Sequence, residues 1–218
     1  MMYKKPSKIL FCGTKNKYGF SYQHWYLTLE KNCNQVIIFD YHWIDICYGR
    51  AVMNEKFLEI IKRDKPDYVF LPSINEFYFD TLLGVREVSP KTKVIMSFGD
   101  DDTQFESFSR YAMLFVDYGF LYQKKYVRKY AKEGIKNVFC INGLNTDFFR
   151  PMKIKKKYDV TFIGQPLSDK SLRYEYIKFL KDKGINIRLF GWGWDKYNEF
   201  KDIYGGPLES KDMIKVLN

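Results

Sequence analysis

The 218-residue sequence lacks any apolar run that approaches the roughly 20 residues needed to span a bilayer. Its first apolar run, Ile9–Cys12, is shorter than the core of a signal peptide, which takes about 7–15 residues. With only 7 prolines and 14 glycines, the composition excludes a collagen-like chain, a wholly disordered chain and a Gly/Ser linker. We therefore expect a globular, cytoplasmic protein.

Cysteine and histidine are also scarce. The four cysteines include no pair at the close spacing of a zinc-binding site, and the only histidines are His24 and His42. Cys12 and Cys140 lie in apolar runs that are typical of strands, so we expect buried, reduced thiols. We predict no metal site.

Positive charge is in excess, with a net charge of +10. Residues 1–150 and residues 151–218 each contribute +5, so the excess is spread along the chain, apart from the lysine-rich segment 153–157. Background composition, an anionic ligand or membrane surface, and nucleic acid would each explain such a charge. The even spread favours background composition, and we do not expect nucleic acid as a partner.

Short, continuous apolar runs alternate with helical patterns up to residue 150. Strands that are apolar throughout and alternate with helices indicate a parallel sheet covered by helices, which predicts a Rossmann-like α/β domain. Ser21 and Asn54 are candidate caps for the first two helices. The predicted strands cover 8–12, 35–40, 67–71, 93–98, 112–116 and 137–141, and the predicted helices 22–31, 54–63, 79–88, 105–109 and 123–133.

The pattern begins again after residue 151. Strands are predicted at 159–163 and 186–190, with a helix at 171–183 between them and another at 209–218. We therefore predict two domains, residues 1–150 and residues 151–218. Two strands and their helices cannot easily cover their own apolar faces. We expect the second Rossmann-like domain to be incomplete, in a truncated chain or one that needs a partner.

The segment Asn142–Pro151 (NGLNTDFFRP) lies between these two α/β patterns. It resembles the N-G-[VL]-[DN]-x-x-x-F-x-P stretch of GT-B glycosyltransferases of the family-4 type. Tyr158–Gly164, Asn186–Trp194 and Gly206–Met213 resemble the first strand, the second strand and the donor-helix approach of the second GT-B domain. Together with the first domain, they are similar to the CgeB-like (spore-maturation) branch. The acidic donor motif of that family is absent from this sequence.

The resemblance implies transfer of a sugar from a nucleotide diphosphate sugar, without a cofactor, to a glycan, lipid-linked or protein acceptor. A non-catalytic GT-B remnant or ligand-binding module is the main alternative. A basic protein that binds an anionic surface or nucleic acid is a further one. The basic helix 123–133 leaves a peripheral membrane contact open.

In the first domain, the loop Gly13-Thr14-Lys15 follows the first strand and is a candidate phosphate or acceptor loop, or an ordinary strand-to-helix connection. His24 is a candidate general base because its pKa suits proton transfer near neutrality, with a surface histidine as the alternative. Asp100 and Asp101 follow the fourth strand. They are candidates for an acceptor-binding or base role, unless they form a solvated loop in which Asp102 caps the next helix.

In the second domain, the resemblance implies that the loop beginning at Gly164 and Gln165 approaches the donor diphosphate. Lys170 and Arg173 would then neutralise phosphate charge, or else be plain surface charges. The following loop begins at Gly191. Its Trp192 and Trp194 offer aromatic faces that either stack on a sugar or base or pack into the core.

Overall fold

The computed structural model describes residues 5–17, 19, 21–72, 75–143 and 145–218. The chain forms two compact units that divide between Asn145 and Thr146. None of the helices in the described residues is long and apolar enough to cross a membrane. Leu144 of the segment Asn142–Pro151, and Tyr18 and Phe20 of the first loop, lie outside the described residues.

The first unit contains a six-stranded parallel sheet in the order β2-β1-β3-β4-β5-β6. This is the order of a doubly wound fold, as the alternating pattern predicts. Its strands are β1 (Lys8–Cys12), β2 (Gln35–Phe39), β3 (Tyr68–Pro72), β4 (Lys93–Phe98), β5 (Tyr118–Leu121) and β6 (Val138–Cys140).

The helices of the first unit connect these strands. A π-helical turn, Tyr22–Tyr26, precedes α1, and another, Phe105–Ser109, lies between α5 and α6. The helices are α1 (Leu27–Asn32), α2 (Tyr41–Tyr48), α3 (Arg50–Asp64), α4 (Phe79–Val88), α5 (Asp101–Gln104), α6 (Arg110–Ala112) and α7 (Lys124–Lys132).

The larger core of the first unit lies on one face of the sheet. There Leu10, Leu71 and Met96 pack with buried side chains of the helices, among them Phe57 and Tyr130. A smaller cluster lies on the other face. Its buried members include Ile9, Phe11, Cys33 and Phe70, and Trp25, Tyr26 and Leu29 pack against them.

The second unit contains a two-stranded parallel sheet of β7 (Val160–Ile163) and β8 (Ile187–Phe190). α8 (Leu172–Asp182) connects them, and a single parallel bridge joins Leu189 to Tyr204. Ser171 caps α8, since its Oγ accepts from the backbone N–H of Tyr174 at 3.2 Å. A 3-10 turn, Asn198–Phe200, and α9 (Ser210–Leu217) complete the unit.

Three local predictions need correction, and one helix was missed. The run 112–116 is the end of α6 and a turn, and the strand lies at β5. Ser21 has helical backbone angles and its side chain makes no cap hydrogen bond. Asn54 is buried inside α3 and is not its cap. The helix α2, directly after β2, was not predicted.

Candidate functional site

The topological switch point of the first sheet lies between β1 and β3. From β1 the chain enters β2 on one side, and β3 lies on the other side of β1. Connections that diverge in this way leave a crevice at the carboxyl ends of the strands, where α/β proteins bind ligands. Gly13, Thr14 and Lys15 follow β1, so the predicted phosphate or acceptor loop begins at the switch point.

The backbone of this loop is fixed by close packing and by one carboxylate. A Cβ atom on Gly13 would lie 2.4 Å from the ring of Phe11 and 3.2 Å from Ser21 Oγ, so only glycine fits there. The N–H of Lys15 donates to Asp40 Oδ2 at 2.9 Å. Lys15 itself is exposed. The loop therefore holds the backbone of Lys15 in place and exposes its ammonium group near the switch point.

His24 lies in the π-helical turn Tyr22–Tyr26, which follows this loop. Gln23 Nε2 donates to the carbonyl of Lys17 at 3.0 Å and ties the turn to the loop. Burial lowers the pKa of His24 below its ordinary value, so the neutral imidazole predominates at neutral pH. That is the form that accepts a proton. π-helical turns are rare and are frequent at functional sites.

The three aspartates after β4 have different surroundings. Asp100 is exposed at the N-cap position of α5, and Asp102 forms an ion pair with Lys125. Asp101 is only 1% exposed, and the hydroxyl of Tyr130 donates to its Oδ1 at 3.4 Å. Asp100 is therefore the exposed candidate of the predicted pair, whereas Asp101 connects α5 to α7 from inside the core.

Burial raises the pKa of Asp101 above its ordinary value. The hydroxyls of Ser109 and Tyr130 oppose this rise, and the charges of Asp102 and Asp100 add to it. β3 lies between β1 and β4, so the strands that lead to Lys15 and Asp100 are about 10 Å apart. The two predicted groups follow strands at the same edge of the sheet.

In the second unit, the two predicted glycines pack on each other at the carboxyl ends of β7 and β8. Gly191 has φ +119°, and a Cβ atom on it would lie 2.4 Å from the carbonyl oxygen of Gly164. That carbonyl also accepts a hydrogen bond from Trp194 Nε1 at 2.8 Å. The glycines allow the two loops to approach each other. Trp194, which is fully buried, is a core residue.

The side chains left exposed beside these glycines are basic and aromatic. Trp192 is 68% exposed, in contrast to Trp194 two positions later. Lys170 is exposed directly before the Ser171 cap of α8. Arg173 is also exposed, and its Nη1 donates to the carbonyl of Gln165 at 3.2 Å. Among the described residues, no carboxylate forms an ion pair with either cation.

Leu167 lies in the same loop and has the left-handed φ of +68° while 70% exposed. This conformation costs a non-glycine residue about 1–3 kcal/mol and is concentrated at ligand sites and switch regions. The edge of the second sheet thus combines exposed cations, an exposed indole and a strained loop. This arrangement is suited to an anionic group attached to a flat ring.

Sequence reasoning missed Asp40 and Trp43. The Asp40 carboxylate caps α2, with Oδ1 accepting from the N–H of Trp43 at 3.2 Å, while Oδ2 holds Lys15. Trp43 is 63% exposed. An aspartate directly after an apolar strand and before the aromatic run Tyr41-His42-Trp43 was the available signal.

No protein-family model and no curated protein matches the chain. Solved structures do match it. A protein from Listeria monocytogenes assigned as a UDP-N-acetylglucosamine 2-epimerase superposes with a TM-score of 0.60 at 12% identity, covering 97% of this chain and 72% of that one. The S. aureus MnaA–UDP co-structure gives a TM-score of 0.57 at 12% identity, with 97% and 72% covered.

The lipopolysaccharide outer core galactosyltransferase WaaB, in its apo form, gives a TM-score of 0.53 at 15% identity, over 95% of this chain and 70% of that one. At these identities the likeness is one of fold. The chain has a GT-B-type, Rossmann-like α/β fold, as the sequence resemblance predicted.

Proposed function

We propose that this protein binds a nucleotide diphosphate sugar and transfers the sugar to an acceptor, as a GT-B glycosyltransferase of the CgeB-like branch. The observation that carries the proposal is the edge of the second sheet, where Lys170, Arg173 and Trp192 are exposed beside tightly packed glycine turns. The likeness to a UDP co-structure and to a galactosyltransferase supports it.

In this proposal the second unit holds the donor. Lys170 and Arg173 bind the diphosphate and stabilise the charge that develops on it as the glycosidic bond breaks. Trp192 stacks on the base or on the sugar ring. No cofactor takes part besides the nucleotide sugar.

The first unit holds the acceptor. Lys15 and Asp100 contact the acceptor's polar groups from the carboxyl edge of the sheet. His24 is the proposed general base, because its lowered pKa keeps the imidazole neutral and able to take the proton of the acceptor hydroxyl. This reaction takes place in the cytoplasm, where nucleotide sugars are available.

Epimerisation of a nucleotide sugar is the second candidate function. The observation that raises it is the likeness in fold to the Listeria monocytogenes structure, which is assigned as a UDP-N-acetylglucosamine 2-epimerase. The products separate the two candidates. A transferase releases the free nucleoside diphosphate and glycosylates an acceptor, whereas an epimerase leaves the nucleotide sugar intact with one stereocentre inverted.

Calorimetric titration of the full chain with UDP and GDP tests the proposal. We expect one of them to bind, and Arg173→Ala and Lys170→Ala each to weaken binding by about tenfold, the loss of one charge-assisted contact. Lys201→Ala is the matched control, because Lys201 is also an exposed cation of the second unit. Failure of both nucleotides to bind the wild-type chain would overturn the proposal.

A further inference from the structure

A cavity lies in the first unit, next to the switch-point loop. It encloses about 470 Å³ beside the edge strand β2, between α2 and α3. Ile38 of β2, Ile44 of α2 and Ile60 of α3 contribute its apolar surface. The volume is within the range of about 300–1,000 Å³ that is typical of small-molecule sites.

Trp43 forms one wall of this cavity and is 63% exposed. Its backbone is fixed, because Asp40 caps the helix on which it stands. The same carboxylate holds the N–H of Lys15, which also lines the cavity. The groove is therefore continuous with the switch-point loop that we assign to the acceptor.

The remaining rim is charged but balanced. Lys15, Lys56 and Arg63 are its cations, and Asp40 and Glu59 are its acids. Arg63 is paired with Asp64 at 2.7 Å, which adds a third carboxylate to the set. Three positive and three negative groups give no net attraction for an anionic membrane or a nucleic acid.

We infer that this groove binds the outer sugar residues of a glycan acceptor. Sugar rings have apolar C–H faces that stack on an indole, and hydroxyls that exchange hydrogen bonds with both cations and carboxylates. An exposed tryptophan over an apolar floor, with a rim of both charge signs, matches that chemistry. The inference rests on the proposed function, because it extends the acceptor away from the hydroxyl that reacts at the switch point.

Ile46 provides the matched control. It is on the same helix and is 65% exposed, slightly more than Trp43, but it does not line the groove. A partner that simply covers exposed apolar side chains of α2 needs both residues. A sugar in the groove needs only Trp43.

The experiment is calorimetric titration of the full chain with trisaccharides of glucose, N-acetylglucosamine, galactose, mannose and rhamnose. We expect at least one to bind, Trp43→Ala to weaken it by about tenfold or more, and Ile46→Ser to leave it unchanged. Circular dichroism and urea denaturation of each variant show that the first unit, which carries both residues, is folded. Binding of UDP or GDP to each variant is measured in parallel.

Absence of binding by all five trisaccharides, or equal binding by Trp43→Ala and the wild type, would overturn the inference. So would binding to phosphatidylglycerol vesicles that requires Trp43 and Ile46 alike. If nucleotide binding persists while saccharide binding fails, only the groove assignment is wrong. If neither UDP nor GDP binds the wild-type chain, the proposed function fails as well.

Discussion

The two units use the same parallel α/β pattern but differ in how their stability is distributed. The first has six strands and a core drawn from many elements of the unit. The second has two strands, and its core is a small cluster in which Trp194 and Phe200 are fully buried. A single buried side chain therefore contributes a larger share of the free energy of unfolding in the second unit than in the first.

The aromatic cluster of the second unit is also connected to its candidate site. The ring of Trp194 lies 5.4 Å from the ring of Phe200 and 5.8 Å from that of Phe162, and its Nε1 donates to the carbonyl of Gly164, which begins the loop after β7. The first unit fixes its switch-point loop with the Asp40 carboxylate and with the close packing of Gly13 on the ring of Phe11. The loop after β7 thus depends on the core beneath it, whereas the switch-point loop depends on Asp40 as well as on the packing below it.

Trp194→Ala should produce the largest effect. It removes a fully buried indole and the hydrogen bond to Gly164, at a cost of about 3–5 kcal/mol. We expect hydrogen exchange to accelerate throughout β7, β8 and α8, with β1–β6 unchanged. Trp192→Ala, at an exposed position, should alter stability by less than about 0.5 kcal/mol. Equal acceleration in both units would contradict the comparison.

Gly191→Ala should destabilise the second unit by more than about 2 kcal/mol, because it combines a φ of +119° with a Cβ atom 2.4 Å from the Gly164 carbonyl oxygen. Gly184→Ala is the control. Gly184 has φ +71° and open space around it, so the cost there is about 1 kcal/mol. Urea denaturation measures both. Similar losses in the two variants would show that the glycine contact contributes nothing.

Asn54→Ala tests the first unit at a buried side chain that forms hydrogen bonds to the backbone. Asn54 Nδ2 donates to the carbonyl of Arg50 at 2.9 Å, and its Oδ1 accepts from the N–H of Tyr78 at 3.0 Å. Truncation leaves the part-buried N–H of Tyr78 without this partner, at a cost of about 1–3 kcal/mol. Glu55→Ala, exposed on the same helix, should cost less than about 0.5 kcal/mol by the same urea assay. If Asn54→Ala also costs less than about 0.5 kcal/mol, the hydrogen bonds of Asn54 contribute little to stability.

Asp101→Asn should give the smallest effect, and one that depends on pH. Because burial raises the pKa of Asp101, the folded state binds its proton more tightly than the unfolded state. The wild-type chain therefore loses stability as the pH rises from the ordinary carboxyl value through the raised one. The amide lacks this loss, so the variant should be the more stable at neutral pH and equal to wild type below the ordinary value.

Thermal denaturation across this pH range measures the difference. Asp102→Asn is its control, since Lys125 lowers the pKa of Asp102 and reverses the sign of its contribution. A variant at Asp101 that is less stable than wild type at neutral pH would show that the buried charge is itself favourable.

The sequence predicted the strands that are continuous apolar runs with polar or glycine ends, and through them the fold. It failed where that signal is ambiguous. The run 112–116 is apolar because the end of α6 is buried, whereas β5 carries Gly119 and the exposed Tyr118 and was overlooked. Asn54 has the side chain of a cap, and only its contact with Tyr78, distant in sequence, shows that it is internal.

The loops of the candidate site were predicted on two grounds. Those after β1 and β4 were identified because parallel strands of one sheet place their carboxyl ends at the same edge, and those after β7 and β8 because of the family resemblance. The separate roles of Trp192 and Trp194 were not accessible, since both follow a glycine and only packing against Phe200 distinguishes them. The burial of Asp101 depends on Tyr130, 29 positions later in the chain.

The proposed function depends above all on binding of a nucleoside diphosphate at the edge of the second sheet. Hydrogen–deuterium exchange of the full chain with and without saturating UDP or GDP tests it most directly. We predict slower exchange in residues 164–171 and 191–194, and loss of that protection in Arg173→Ala. Protection confined to other segments, or no protection with either nucleotide, would contradict the claim.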